Sequence, residues 1–222
     1  MRVGVLALQG GFDAHARAVA TLGHAPVLVR SVRDLSGVRA LVLPGGESSV
    51  MLDLLGRDPM LEHALIELVE GGAPVLATCA GLILIAARVR GPEQRSLGLL
   101  DVEVRRNARG RQIHSSETVD DAGVLPLVLI RAPRISNVGD SVQVLATLGG
   151  EPVLVRQGRV VGATFHPELT RDLSVHALVL DPHSGSDQRI RTSISDGPLG
   201  SSSISSPSNA DTSRSGPASA IR

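Results

Sequence analysis

"VLATCAGLILI", residues 75–85, changes its pattern halfway along. Pro74 to Thr78 is a short, continuous apolar run, the form of a strand buried on both faces. From Ala80 the apolar residues run on as a helix, expected over 80–89. Between strand and helix stands Cys79, the sole cysteine among 222 residues. A free cysteine is usually a small buried hydrophobe, so filler is one reading. Its place gives another. A residue where a parallel strand turns into a helix sits at the carboxyl edge of the sheet, where open α/β folds hold ligands. The small Ala77, Ala80 and Gly81 suit such a turn, which follows the elbow logic known for serine in G-x-S-x-G. The partial positive charge of a helix N-terminus favours a thiolate, the nucleophilic form.

Upstream, short strands alternate with helices. "RVGVLAL" (2–8), "PVLVR" (26–30) and "RALVLP" (39–44) read as strands. "DAHARAVATL" (13–22), "SSVMLDLL" (48–55) and "PMLEHALIELVEGG" (59–72) read as helices, the second with Ser48 or Ser49 near its N-cap. Residues 1–90 are thus expected to form an open α/β sandwich on a parallel sheet. From 98 to 163 shorter strands separated by turns predict a more β-rich part with antiparallel pairing. "LSVHALVL" (173–180) reads as a last short helix.

Composition sets bounds. Hydrophobic residues make up 42%, and Phe12 and Phe165 are the only large aromatics, so Val, Leu, Ile and Ala must build the core. Lys and Arg number 22, as do Asp and Glu, a balance that points to neither nucleic acid nor an acidic membrane as partner. No apolar run approaches the roughly 18 residues of a membrane span. The first residues lack a small-residue cleavage site and read as a strand, not a signal peptide. With a single cysteine, this suits a reducing cytoplasm. Ser, Gly and Pro make up half of residues 181–222, which are expected to be a disordered tail outside the folded unit 1–180.

Two further stretches bear on Cys79. In "ATFHPELT" (163–170), His166 and Glu168 are two apart, on the same face if the segment is extended. An imidazole takes a thiol proton, and a carboxylate fixes its tautomer: nucleophile, base and orienter. Alone, H-x-E is a weak signal and reads first as a surface pair. A zinc-deaminase reading needs a later P-C-x-x-C, which is missing. In "LPGGESS" (43–49), Gly45 and Gly46 can aim backbone N–H groups into a cleft and, with the N–H of Ala80, form an oxyanion hole. The plainer reading of the pair is a turn. No P-loop and no G-x-G-x-x-G offers a phosphate site. His15, His24, His63, His114, His176 and His183 read as surface or packing residues.

Six stretches in order, "LALQGG" (6–11), "LPGGESS" (43–49), "TCAGLI" (78–83), "RRNARGRQ" (105–112), "IRAPRI" (130–135) and "FHPELT" (165–170), resemble the class I, triad-type glutamine amidotransferases, and within them the glutaminase subunits of pyridoxal 5′-phosphate synthase. The resemblance covers about residues 2–180. It implies a three-layer, flavodoxin-like α/β sandwich with a mostly parallel central sheet. It makes Cys79, His166 and Glu168 the triad, and brings Gly46, Glu47, Ser48, Arg106, Ile130 and Arg131 to the glutamine. The α-carboxylate of that substrate calls for a cation such as Arg106 or Arg131, and its ammonium for carbonyl acceptors. Residues 105–111 also read as a solvated hairpin. The implied enzyme needs no cofactor and no metal. Its ammonia passes through a tunnel to a barrel-shaped synthase subunit in a large hetero-oligomer. Ala77 stands where the family usually has glycine, and Asp181-Pro182 cuts the last helix short. A glutaminase serving a histidine or purine synthase, or a catalytically silent partner of the same fold, are the alternatives.

Overall fold

The computed structural model describes residues 1–106 and 116–181. In chain order the elements are β1 (Arg2–Leu6), α1 (Phe12–Thr21), β2 (Ala25–Val29), β3 (Ala40–Leu43), α2 (Ser48–Arg57), α3 (Pro59–Glu70), β4 (Val75–Thr78) and α4 (Ala80–Ile85). Then follow β5 (Ala86–Arg90), β6 (Leu100–Arg105), β7 (Ser116–Val119), β8 (Pro126–Leu129), β9 (Arg134–Val138), β10 (Gln143–Leu148), β11 (Glu151–Gln157), β12 (Val160–Ala163) and α5 (Ser174–Leu180). The expected tail beyond 181, His114, His183 and most of the Arg-rich stretch lie outside the described residues. So do residues 107–115 of the β-rich part expected from 98 to 163.

The main sheet runs β2-β1-β3-β4-β12-β11-β10. The first five are mutually parallel, and β11 and β10 add antiparallel at one edge. Its layering follows from the period-2 alternation of the strands. In β3, Leu41 and Leu43 join Leu52 and Leu55 of α2, Leu61 and Leu65 of α3 and Leu82 of α4 in one apolar cluster. Ala40 and Val42 face the other way and join Val19 of α1, Leu127 of β8 and Val175 and Leu178 of α5. Both faces of the strand are buried, which is why its sequence is apolar throughout. The result is the expected α/β sandwich, helices on both sides of a mostly parallel sheet. A three-stranded sheet, β5-β6-β9, and the β7-β8 hairpin make the β-rich part.

Two local expectations are corrected. The helix predicted over 80–89 stops at Ile85, and Ala86–Arg90 becomes β5, parallel to β6. As a strand, the segment puts Arg88 and Arg90 on one side, 3.5 and 3.4 Å from Glu103 of β6. Tertiary pairing overrides the local helical pattern. At the start of α2, the N-cap is Glu47 with no side-chain cap, and Ser48 is the first helical residue. α3 follows its sequence signals, with Asp58 Oδ1 accepting from the Leu61 N–H, Pro59 at the first turn and Gly71 at the end.

α4 lies against the end of β3 so closely that a Cβ on Gly81 would sit 2.0 Å from the Leu43 carbonyl oxygen. Only glycine lets backbone meet backbone there. Gly81→Ala is therefore expected to destabilise by about 1–3 kcal/mol. Gly56→Ala, in α2 with open space around it, is expected to stabilise by about 0.5–1 kcal/mol. Urea unfolding of the two variants checks the pair, and equal effects would contradict the backbone contact.

Candidate active site

Four parallel strands, β1, β3, β4 and β12, deliver their following loops to one edge of the sheet. β1 leads to Gln9-Gly10-Gly11, β3 to Gly45-Gly46, β4 to Cys79 and β12 to His166. The strand order reverses between β1 and β3, the place where α/β sheets open a crevice. A cleft of about 270 Å³ lies there, lined by all of these loops except Gln9 and also by Arg106, Ile130 and Arg131. That volume suits a small polar metabolite rather than a drug-sized ligand.

Cys79 has φ 46° and ψ −103°, a conformation that side-chain-bearing residues rarely adopt and that costs about 1–3 kcal/mol. The turn is held from both sides. Its N–H donates to the Ala163 carbonyl of β12 at 2.8 Å, and its carbonyl accepts from the Ile83 N–H of α4 at 3.2 Å. The side chain is mostly buried, with Sγ 3.8 Å from the Ile130 carbonyl oxygen.

His166 is anchored by its own N–H, which donates to the Val128 carbonyl of β8 at 2.9 Å. It caps a 3₁₀ turn, Pro167–Leu169, so His166 and Glu168 do not share a face of an extended segment as the sequence suggested. The turn brings them together instead, Nδ1 to Oε1 at 2.8 Å. With Nδ1 committed to Glu168, the nitrogen left for the Cys79 thiol is Nε2. Burial works to lower the pKa of His166, but hydrogen bonds and charge from Cys79 and Glu168 push it up to about 10. Burial works to raise that of Glu168, but His15 and His166 hold it well below the ordinary carboxylate range. The site thus favours an imidazolium flanked by a carboxylate and the cysteine sulfur.

The glycine loop packs directly on this set. A Cβ on Gly45 would lie 2.3 Å from His166 Cε1 and 3.2 Å from Cys79 Cβ. The Gly45 carbonyl accepts from the Gly11 N–H at 2.9 Å, so the Gly46 N–H of that planar peptide points away from the Gly10-Gly11 turn. Gly10, at φ 96°, makes room for that carbonyl. Gln9 Oε1 accepts the Glu47 N–H at 2.7 Å and fixes the next step of the loop. Ala80, the other expected oxyanion donor, follows Cys79 and is nearly fully buried.

The expected substrate contacts form the rim. Arg106 donates to Gln94 Oε1, and Gln94 in turn meets the Ser48 hydroxyl at 3.3 Å. Arg131, at φ 46°, reaches Glu47 with Nη2 3.5 Å from Oε1. All the site residues expected from sequence therefore converge, and others join them. Gln94 sits in a loop with no motif of its own. His15 and His176, expected as surface or packing residues, are fully buried, and His15 lies 3.2 Å from Glu168 and 3.1 Å from the buried Thr78 hydroxyl. His63 is exposed, as expected, and His24 lies 3.2 Å from Asp181.

This sheet, with a Cys-His-Glu line at its carboxyl edge, is that of the class I glutamine amidotransferases. The chain belongs to the SNO glutamine amidotransferase family, whose family model matches residues 5–182. Among its relatives is the pyridoxal 5′-phosphate synthase subunit PdxT of Koribacter versatilis, 50% identical over 81% of this chain and 94% of that one. The PdxT subunit of Pelotomaculum thermopropionicum is 47% identical over 82% and 94%. A solved glutamine amidotransferase is 45% identical and superposes with a TM-score of 0.74, covering 80% of this chain and 96% of the other. At 15% identity and a TM-score of 0.51, a glutamine amidotransferase from Thermotoga maritima shares the fold.

Gly45→Ala is expected to displace the His166 ring, lower glutaminase turnover about a hundred-fold or more, and lower the melting temperature as the ring loses its contact with Glu168. Steady-state kinetics beside calorimetry test it; a Gly45→Ala enzyme as fast as the parent would refute the packing argument. The His166 shift also has a sign for stability. A pKa raised on folding contributes stability that is fully present below the unfolded value of 6.5 and is lost as pH rises towards about 10. Cys79 supports that shift, so the fall in melting temperature between pH 7 and 10 should be smaller in Cys79→Ala than in the parent. Parallel curves in calorimetric scans would argue against the Cys79–His166 coupling.

Proposed function

We propose that this chain hydrolyses L-glutamine to L-glutamate and ammonia through a thioester on Cys79. The observation that carries this is the line from Cys79 through His166 to Glu168 at the edge of the sheet, beside a glycine loop. The Cys79 thiolate attacks the side-chain amide carbon, and the carbonyl oxygen takes up negative charge. N–H groups of the Gly45–Gly46 loop and of Ala80 hold that oxyanion. Protonated His166 gives its proton to the departing nitrogen, the C–N bond breaks and ammonia leaves a thioester. Neutral His166 then takes a proton from water, the hydroxide adds to the thioester carbon, and collapse expels the thiolate beside the imidazolium. Glu168 keeps the Nδ1–H of His166 in place through both halves. At the rim, Arg106 and Arg131 meet the α-carboxylate, while the Ile130 carbonyl and Glu47 accept from the α-ammonium. Gly46 and Ser48 complete the wall.

The names of the relatives support one destination for the ammonia over histidine or purine synthases. We take the chain to be the glutaminase subunit of a pyridoxal 5′-phosphate synthase, docked on a barrel-shaped synthase subunit and passing ammonia to it within a larger assembly. Residues 1–180 form the unit that does this, since every proposed site residue lies within them. The one cysteine is free and at work as a thiol, in keeping with a cytoplasmic setting. Among the described residues no helix is long and apolar enough to cross a membrane.

Cys79→Ala should abolish ammonia release from glutamine while leaving the fold and docking intact. The parent alone should be slow and gain at least about ten-fold when the synthase subunit is added, because docking has only to bias the Gly45–Gly46 peptide towards the orientation whose N–H meets the oxyanion. A coupled glutamate assay reads both. Turnover that survives Cys79→Ala would sink the mechanism, and full activity in the isolated chain would sink the account of its control.

A further inference from the structure

Behind the carboxylate that orients His166 stand two histidines to which the mechanism above gives no part. His15 of α1 and His176 of α5 are fully buried, with ring centroids 5.1 Å apart. His15 Nδ1 lies 2.9 Å from His176 Nε2. On its other side, His15 Nε2 lies 3.1 Å from Thr78 Oγ1 and 3.2 Å from Glu168 Oε2. The hydrogen bond goes to Thr78, so the attraction for Glu168 is a charge–dipole contact beside it. Among the described residues, Glu168 Oε2 is buried with no hydrogen-bond partner, a costly state for a carboxylate.

The chemistry fixes where the protons lie. A lone pair on His15 Nε2 would face a carboxylate oxygen and repel it, so Nε2 must carry the hydrogen. Two arrangements of the pair remain. If His15 is doubly protonated, its Nδ1–H donates to His176 Nε2, and neutral His176 then carries its proton on Nδ1. That atom is buried without a partner, so a donor would be stranded. If His15 is neutral, its Nδ1 accepts from His176 Nε2–H, and His176 Nδ1 is left as a lone pair. Burying an unpartnered lone pair is the lesser cost. The second arrangement gives one consistent set: His176 Nε2–H donates to His15 Nδ1, His15 Nε2–H meets Thr78 Oγ1 with Glu168 Oε2 beside it at 3.2 Å, and His166 Nδ1–H donates to Glu168 Oε1.

We propose that His15, backed by His176, is a positioning residue of the glutaminase reaction: its Nε2–H keeps Glu168 ionised and turned so that Oε1 stays on His166 Nδ1, leaving His166 Nε2 for the Cys79 thiol. This rests on the proposed roles of Cys79, His166 and Glu168. Burial pushes on Glu168 in the direction of protonation, and the hydrogen-bonding contact from His15 is the foremost of those that outweigh it. Burial, the largest influence on His176, pushes its pKa down to about 3, so that ring stays neutral and serves as a donor through one nitrogen only.

The test uses His15→Met, which keeps the volume and removes the donor, and His15→Gln, which restores an N–H near the Nε2 position. General acid–base catalysis is worth roughly a hundred-fold or more, so partial loss of its alignment should lower kcat about ten-fold while KM for glutamine moves less than about three-fold. The acid limb of the kcat profile should move to higher pH in His15→Met, as Glu168 becomes easier to protonate. His15→Gln should regain most of kcat and the parent profile. A role in packing alone would lower the melting temperature of both variants and leave the pH profile of the folded enzyme unmoved; that result overturns the proposal. Nitrogen NMR of the parent, labelled at histidine, decides the matter even if His15→Met does not fold. A proton on Nε2 alone in both His15 and His176 supports it, and a proton on His15 Nδ1 overturns it. Turnover that survives Cys79→Ala overturns the catalytic set and this role with it. Cys79-dependent turnover untouched by His15→Met overturns the role alone.

Discussion

One strained residue sets the terms for the rest of the molecule. Cys79 sits at φ 46° and ψ −103° because β4 must end and α4 begin with no residue to spare between them. No local interaction favours that conformation, so the surroundings have to impose it. They do so through three contacts: the N–H bond to β12, the carbonyl bond from α4, and the approach of Gly81 to the Leu43 carbonyl of β3. Each belongs to a different neighbour in the sandwich. The elbow therefore exists only once β3, β4 and β12 are paired and α4 is packed on them, and the sulfur is in place only in the complete fold.

The same economy governs the polar groups on the α1–α5 side of the sheet. Burying His15, His176, Thr78 and Glu168 in the apolar cluster of Val5, Val19 and Phe165 is unfavourable unless each finds a partner. They find one another. Helices α1 and α5 each contribute one ring, β4 a hydroxyl and the 3₁₀ turn just before α5 a carboxylate, so the network ties α1 and β4 to the C-terminal end of the fold. Its last member reaches His166. Packing and chemistry are continuous here: the groups that make this buried face tolerable also determine where the imidazole points.

Much of this was legible in the sequence, for identifiable reasons. Strands buried on both faces leave unbroken apolar runs, and β1, β3 and β4 show them plainly. The cysteine could be placed because a strand signal and a helix signal meet at it. What the sequence hid was contact between distant segments. β5 reads as the end of a helix because "AARV" carries helical character, and only its pairing with β6 makes it a strand. His166 and Glu168 are joined by a 3₁₀ turn that two-residue spacing does not foretell, although proline between them disfavours regular structure. His15 lies within an amphipathic helix among alanines, and His176 in a short apolar helix; neither has a sequence neighbour that hints at a carboxylate beside it. A histidine at a fully apolar position was the available signal, and it took the fold to give it a partner.

The site divides its work by depth. Cys79, Glu168 and the histidines behind it are buried and held by backbone bonds or by each other. The rim is different. Arg131 and Glu47 have side chains 70% and 45% exposed, and an ion pair in such a setting is worth about 0–1 kcal/mol. It is easily exchanged. A ligand that brings both a carboxylate and an ammonium offers Arg131 and Glu47 better partners than each other, at almost no cost in parting them. Arg106 is more sheltered and is kept by Gln94, an uncharged acceptor that holds the guanidinium in place without neutralising it. A carboxylate arriving there gains a charge-assisted bond against a neutral competitor. In the proposed reaction the rim selects an amino acid by its charged end, and the buried line takes the amide at the other end. A ligand must satisfy both ends at once, which is a stricter demand than either part of the cleft makes alone.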